Sequence, residues 1–303
     1  LKKLPSIGGD ADIAQYLQVL PGVVFTGDQG GQLYIRGGAP IHNVVLLDGM
    51  ILYNAFHSIG LFSVFDTDVI KTADVYTGGF NAEYGGRISS VVDIKTRDGN
   101  KKRLAGKVAA STFGSKLLLE GPLFKQKENG SSSSFILSSK TSYIDRTSNT
   151  LYSYISDEGL PYSFLDIYGK ASFTGSNGSK FNMFGFNYGD DVLYSSLVNY
   201  SWNSYGFGSN FILIPGGSSM LVEGNFAFSN YDTEQTNVGA KPKLSSINGF
   251  NSGLDFTYFL EGESQIKYGI EVLGFGNTLN FYTPSNILVD HNDNTTEFAG
   301  FVK

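Results

Sequence analysis

Three histidines, a few glycine-flanked charges and one polar-aromatic loop are the residues of this 303-residue chain that could do chemistry. His42, His57 and His291 lie far apart, without the short spacing that brings several ligands to one metal. No Gly-x-Ser-x-Gly elbow and no phosphate-binding glycine loop accompanies them. The run Asp290-His291-Asn292-Asp293-Asn294 offers oxygen ligands of the kind calcium takes, but not at the spacing of a calcium loop, and reads as a solvated loop. The sequence therefore predicts no enzyme, no cofactor and no metal centre. Arg36, Asp48 and Arg87 each stand beside glycine. A guanidinium clamps a carboxylate through two parallel hydrogen bonds, and an Asp before Gly caps a turn. Tyr53, Asn54, Phe56 and His57 fall in the stretch from Asp48 to Phe62, a mixture suited either to touching a ligand or to packing on a neighbouring wall.

These residues need elements to position them, and the C-terminal two thirds of the chain declare theirs by period. From Gly106 onward no run of eighteen apolar residues occurs, which excludes a transmembrane helix, yet segment after segment alternates apolar with polar residues. Leu165, Ile167, Ala171 and Phe173 take one face of a strand, and Asp166, Tyr168, Lys170 and Ser172 the other. Ile266, Tyr268, Ile270 and Val272 likewise share a face opposite Gln265, Lys267 and Glu271. The spacing predicts strands over Gly106–Thr112, Lys116–Pro122, Ser134–Ile144, Phe164–Thr174, Lys180–Gly189, Tyr205–Ile214, Met220–Asn230, Phe250–Leu260 and Gln265–Gly274, with a tenth starting at Phe298.

Connections between these strands alternate in length. Gly175-Ser176-Asn177-Gly178, Pro215-Gly216-Gly217-Ser218 and Glu261-Gly262-Glu263 are tight turns, whereas long polar stretches lie near 147–162, 190–203, 232–248 and 282–296. Outer-membrane β-barrels have this asymmetry, and a soluble sandwich, which would also alternate, tends to have uniformly brief hairpins. The 24 Phe and 18 Tyr supply the rings that barrels place at membrane interfaces. A formal charge of −6 with 41% hydrophobic residues excludes a disordered chain. Lys and Arg are outnumbered and scattered, with Lys101-Lys102-Arg103 the one basic run, so a nucleic-acid partner is excluded. Cysteine is absent, which removes disulfides and thiol chemistry. Leu1-Lys2-Lys3-Leu4-Pro5 has no apolar core behind its basic pair, so a secretion signal is expected upstream.

The first hundred residues have another pattern. Residues 12–20 space their apolar positions as a short amphipathic helix, with Asp10 or Asp12 as cap and Pro21-Gly22 as stop. Gln32–Arg36, Val44–Leu47, Ala73–Tyr76 and Ser90–Thr96 are β-branched or aromatic runs broken by glycine, which reads as a small mixed α/β domain. The expected division is 1–103 for this domain and 104–303 for the strand-rich part.

The succession Leu20-Pro21-Gly22-Val23, Ile35-Arg36-Gly37-Gly38, Leu47-Asp48-Gly49-Met50, Tyr84-Gly85-Gly86-Arg87 and Val92-Asp93-Ile94-Lys95-Thr96 resembles the plug domain of TonB-dependent outer-membrane receptors. Leu119-Glu120-Gly121-Pro122-Leu123 and the stretch from Ser138 to Tyr143 look like the opening strands of receptors from the Bacteroidetes branch. Two places depart from the family pattern: Thr77-Gly78-Gly79-Phe80 stands where Gly-Pro is common, and Gly86-Arg87-Ile88-Ser89-Ser90 follows Tyr84-Gly85. Both bear on a siderophore assignment rather than on the family.

The resemblance implies a mainly β protein of the outer membrane, a plug followed by about ten of roughly twenty-two barrel strands, in contact with outer-membrane lipids. An open sheet of ten would leave unpaired edges in lipid, so the chain is expected to continue or to be partnered. The implied function is active import of a nutrient: an iron chelate, cobalamin, a glycan or a peptide. A TonB-type protein would pull on a segment upstream of this sequence. In that frame Gly37, Gly38, Gly49 and Gly85 permit positive φ or close approach to the wall, Arg36, Asp48 and Arg87 dock or gate the plug, and Tyr53, Asn54, Phe56 and His57 contact cargo. The alternative is a non-transporting barrel serving as scaffold or docking subunit for a surface lipoprotein or a secretion assembly.

Overall fold

The computed structural model of the chain describes residues 11–26, 32–57, 60, 62–126, 128–151, 154, 159–194, 198–262 and 264–303. Asp10, Glu263 and part of the stretch from Asp48 to Phe62 lie outside the described residues.

The N-terminal unit opens with helix α1 (Ile13–Gln18), short because Pro21-Gly22 follows it within a turn. Asp12 caps it, accepting the amide of Ala14 at 2.8 Å, and the buried positions Ile13, Ala14 and Leu17 fall on one stripe. Strands β1 (Val23–Thr26) and β2 (Gln32–Ile35) pair antiparallel. A second sheet contains β3 (Asn43–Leu47), β4 (Met50–Leu52), β5 (Ile70–Tyr76) and β6 (Ser90–Thr96) in the order β4-β3-β6-β5, with β3 and β6 parallel. Val91, Val92 and Ile94 on β6 are fully buried, as a strand covered on both faces requires.

Ten strands follow: β7 (Ala105–Ala110), β8 (Gly114–Phe124), β9 (Ser132–Ser142), β10 (Tyr162–Thr174), β11 (Lys180–Tyr194), β12 (Val198–Leu213), β13 (Met220–Asn237), β14 (Lys243–Phe259), β15 (Gln265–Tyr282) and β16 (Leu288–Val302). They form one antiparallel sheet in strict sequence order, each strand bonded to its chain neighbours. Every strand expected from the alternation is present. No helix among the described residues is long and apolar enough to cross a membrane.

What differs is the length of the strands. The stretches around 190–203, 232–248 and 282–296, expected as long loops, are mostly strand: Val192 pairs with Tyr200, Thr233 with Ser245 and Leu279 with His291. Around 232–248 and 282–296 the apolar alternation fades because polar residues dominate both faces, and around 190–203 apolar residues fall on both faces, as buried Val192 beside exposed Leu193 shows; in neither case does the backbone ladder need the alternation to continue. The Asp290 to Asn294 run accordingly lies on β16, where His291 Nε2 meets Asp293 Oδ2 at 2.6 Å. The stretch near 147–162 begins in helix α2 (Ile144–Leu151), another element the strand pattern did not announce.

The faces of this sheet are inverted relative to a soluble protein. On β10, Leu165 and Ile167 are 47% and 39% exposed, whereas Asp166, Tyr168 and Lys170 are 3%, 4% and 5% exposed. Ile266, Tyr268 and Ile270 on β15 are exposed as well, while Lys267 turns inward. A sheet that buries its charges and displays its aliphatic side chains is built for an apolar solvent outside. Phe124, Phe181, Tyr258 and Phe259, all exposed and close to the short turns, supply an aromatic band at that end. The N-terminal unit packs against the inward face, and one apolar core joins Leu47, Met50, Phe56 and Ile94 to the wall residues Tyr168, Phe186, Tyr188 and Trp202.

Candidate functional site

Two residues, Asp48 and Gly49, connect β3 to β4, and both have positive φ, at 51° and 89°. This is the two-residue hairpin that Asp-Gly favours, since its backbone matches strand twist and neither residue is heavily penalised there. The turn drives its tip into the wall. Asp48 accepts the Tyr168 hydroxyl at 2.7 Å and the Thr96 amide at 2.9 Å, and Lys170 Nζ stands 3.4 Å away. The exposed peptide edge is received too: Asn210 Nδ2 donates to the Asp48 carbonyl at 3.0 Å, Asn251 Nδ2 to that of Gly49 at 2.7 Å, and Ser229 Oγ to that of Ile51 at 2.7 Å. Wall amides and a hydroxyl thus satisfy backbone groups that burial would otherwise leave unpaired.

Around this tip runs a ring of ion pairs with a consistent polarity. Lys116 stands 2.9 Å from Asp68 and 3.5 Å from Asp66, Lys180 is 2.6 Å from Asp98, and Lys267 is 2.6 Å from Glu83. In each pair the wall supplies the lysine and the N-terminal unit the carboxylate. Arg97 runs the other way, bidentate to Glu120 at 2.6 and 3.2 Å. The sequence points to Arg36 and Arg87 as the cations that pair with wall carboxylates, and among the described residues neither makes such a pair. Arg36, at φ 48°, lays its guanidinium on the backbone of Gly78 within its own unit, where a Cβ would come within 2.3 Å of Nη1. The glycine in the departing Thr77-Gly78-Gly79-Phe80 segment is thereby explained by packing. Arg87 donates from Nη1 to the Gly86 carbonyl at 2.9 Å and lines a cavity instead. The docking residues that sequence reasoning missed were visible as lysines on the inward face, Lys116, Lys140 and Lys170 among them, but their partners depend on tertiary placement.

That cavity, about 940 Å³, lies between the N-terminal unit and the long-hairpin end of the wall. Tyr53, Asn54 and Phe56 line it from one side, Tyr200, Trp202 and Tyr231 from the other, and Arg87 is the one charged residue in its lining among the described residues. Asn54 Nδ2 donates to the Tyr231 hydroxyl at 3.3 Å. Burial raises the Tyr53 phenol above its ordinary pKa, with Ser229 and the charge of Arg87 opposing, so it serves as a neutral hydrogen-bonding group. Phe56 is itself 5% exposed and packs edge-on against Phe25 at 5.2 Å, so it shapes the floor more than it offers a face. A second cavity of about 630 Å³, rich in charge, lies toward the short turns and shares Arg87 with the first.

His57 does not face either cavity. The sequence grouped it with Tyr53, Asn54 and Phe56 as a cargo contact, but it is wholly buried against the wall. Its ring stacks on Phe164 at 3.8 Å and 12°, with Nε2 2.9 Å from Asp166 Oδ2 and Nδ1 3.7 Å from Asp190 Oδ2. Burial alone would lower its pKa, but the Asp166 charge and hydrogen bond, aided by Asp190, outweigh it and hold the imidazole above its ordinary value.

Residues 4–92 match the family model described as TonB-dependent Receptor Plug Domain. No curated protein matches the chain at a significant level. Among solved structures it is similar to the FrpB iron transporter of Neisseria meningitidis in its apoprotein form, at 14% identity and a TM-score of 0.69, covering 96% of this chain and 52% of that one. The copper transporter OprC matches at 12% identity and 0.69, covering 96% and 50%. The siderophore receptor PirA from Pseudomonas aeruginosa matches at 16% and 0.61, covering 100% and 51%. At these identities the likeness is one of fold, and the chain spans about half the length of the proteins it matches. Residues 4–92 thus match a TonB-dependent receptor plug domain, and the ten wall strands that follow, with their apolar outer face, share the fold of these outer-membrane transporters.

Proposed function

We propose that this chain is the plug, residues 1–103, and the adjoining barrel wall, residues 104–303, of a receptor that actively imports a nutrient across the outer membrane. The observation that carries the reading is the seating of the plug: a domain set against the inner face of a lipid-facing wall, held at its periphery by charge pairs and side-chain hydrogen bonds in addition to the apolar core the two share. Ion pairs and hydrogen bonds can be exchanged for water as the plug shifts, which suits a part that must move. Asp48 docks the plug tip to the wall, and Arg87 stands between the upper and lower cavities on the path a shifted plug would open. Tyr53 and Asn54, with the floor formed by Phe56, contact cargo in the upper cavity. Cargo is an iron chelate, cobalamin, a glycan or a peptide, and a TonB-type protein supplies the energy through a segment upstream of the sequence.

The test is accumulation of labelled representatives of these four cargo classes in cells with and without the full-length receptor, before and after the proton-motive force is collapsed. Import requires one representative to accumulate only with receptor and energy both present. Receptor-dependent accumulation that survives loss of the proton-motive force would count against energy-coupled import, as would the lack of any receptor-dependent difference.

A further inference from the structure

His57 is the one histidine that the fold encloses completely, and its surroundings come from five separate elements. Asp166 on β10 faces Nε2 at 2.9 Å, and Asp190 on β11 faces Nδ1 at 3.7 Å. Lys140 on β9 stands 3.7 Å from the same Asp166 carboxylate. On the far side of Lys140, at 3.9 Å, lies Asp12 at the head of α1, whose own carboxyl burial pushes toward the protonated form. The Tyr188 phenol, on β11, is the remaining titratable group close to this cluster, and Phe164 and Trp202 close the ring faces at 3.8 and 5.8 Å.

A neutral imidazole carries one N–H, so it can satisfy one of two carboxylates and must turn a lone pair toward the other. The imidazolium carries an N–H on each nitrogen: the one on Nε2 bonds Asp166, and the one on Nδ1 faces the Asp190 carboxylate at 3.7 Å, a charge contact beyond hydrogen-bond distance. Charge balance favours the same state: with His57 protonated, two cations, His57 and Lys140, meet two anions, Asp166 and Asp190, whereas a neutral His57 leaves a net negative charge in a buried, aromatic-walled site. We propose that His57 is a protonated latch that pins the plug to the barrel wall, and that loss of its proton loosens the residues bonded around it, Asn54 to His57 and Phe62 to Val64. The backbone carries the effect outward. The His57 amide donates to the Phe62 carbonyl at 3.0 Å and the Val64 amide to the Ala55 carbonyl at 3.1 Å, so the backbone of His57 is tied to Phe62 directly beside the cavity-lining residues Asn54 and Phe56.

The sign follows from linkage. A histidine whose folded pKa lies above its unfolded value near 6.5 stabilises the docked loop fully below that value, and the contribution is lost as pH rises through the folded pKa. The latch belongs to the plug that the import reading assumes, but its test needs neither cargo nor energy. The full-length receptor in detergent or lipid is followed by hydrogen exchange of peptides spanning 54–63, corrected for the intrinsic pH dependence of exchange, from pH 5.5 to 9.5. Protection of this segment is expected to fall as pH rises through the folded pKa of His57, with a midpoint above the ordinary histidine value. His57→Gln should remove the pH dependence. Asp190→Asn, which keeps the wall strand and the Asp166 contact, should move the midpoint to lower pH. Flat protection in the wild-type receptor would overturn the latch, as would an unshifted midpoint in Asp190→Asn or an unchanged profile in His57→Gln. Failure of the import experiment would leave these exchange results untouched.

Discussion

The carboxylate of Asp48 receives the phenol of Tyr168 at 2.7 Å, so a two-residue turn of the plug terminates on a strand of the barrel wall. Lys170, 3.4 Å from the same carboxylate, is at least as buried as its partner, and the pair therefore depends on both members being present. Asp48→Asn keeps a residue that tolerates the φ of 51° but strands the Lys170 ammonium. The expected loss is about 3–5 kcal/mol of docking stability. Combining it with Lys170→Met should cost less than Asp48→Asn alone, and denaturant-dependent proteolysis of the plug in the full receptor measures the cycle.

The Glu83 to Lys267 contact predicts the opposite pH response to that of His57. Burial disfavours the Glu83 charge, but the hydrogen bond and charge of Lys267 at 2.6 Å outweigh it and hold the carboxyl below its ordinary value of 4.5. Its contribution is present above that value and is lost as pH falls through the lower, folded one. Exchange protection of peptides spanning 81–87 should drop on acidification, and Glu83→Gln should flatten that drop.

Gly99 marks where the plug passes into the wall, and it leaves no room for a side chain. A Cβ there would stand 1.8 Å from the Phe135 carbonyl oxygen. Gly99→Ala is expected to destabilise the receptor by about 1–3 kcal/mol, because backbone rather than a flexible side chain must yield. Gly216→Ala in a short turn meets nothing within 4 Å, and its effect should stay within about 0.5 kcal/mol. Thermal unfolding of the two variants side by side checks the contrast.

The outward face makes a prediction about depth. Ile167→Arg places a charge in the middle of a wall strand and should cost about 2–4 kcal/mol in lipid, while Phe181→Arg beside a short turn should cost about 0–1 kcal/mol. Equilibrium folding into phospholipid vesicles reads both, and equal costs would argue against an apolar layer centred on this face.

Much of this architecture was legible in the chain because period-two alternation survives wherever one strand face meets lipid and the other the lumen. Leu165 to Ser172 declares both faces unaided. The Asp48-Gly49 turn was legible as well, since its backbone chemistry is local. Alternation fails as a guide past Asp232 and Tyr282, where strands or their pairing continue with mostly polar residues on both faces, and past Asp190, where Val192 and Leu193 put apolar side chains on both. The polarity of docking was not legible, because Lys116 finds Asp66 and Asp68 only after the plug is seated. His57 illustrates the same limit: its neighbours in sequence line a cavity, but its partners Asp166 and Asp190 lie more than a hundred residues on, and only their register on adjacent strands brings them to it.

The proposed import requires the plug to move relative to the wall, which a reversible tether between the two would block. The sequence contains no cysteine, and the side chains of Asp66 on the plug and Ser138 on β9 meet at 2.6 Å. In the full-length receptor bearing Asp66→Cys and Ser138→Cys, a reducible thiol crosslinker should abolish energy-dependent accumulation of the cargo, and reduction should restore it. Accumulation at the unlinked rate with the tether verified as closed would contradict the account.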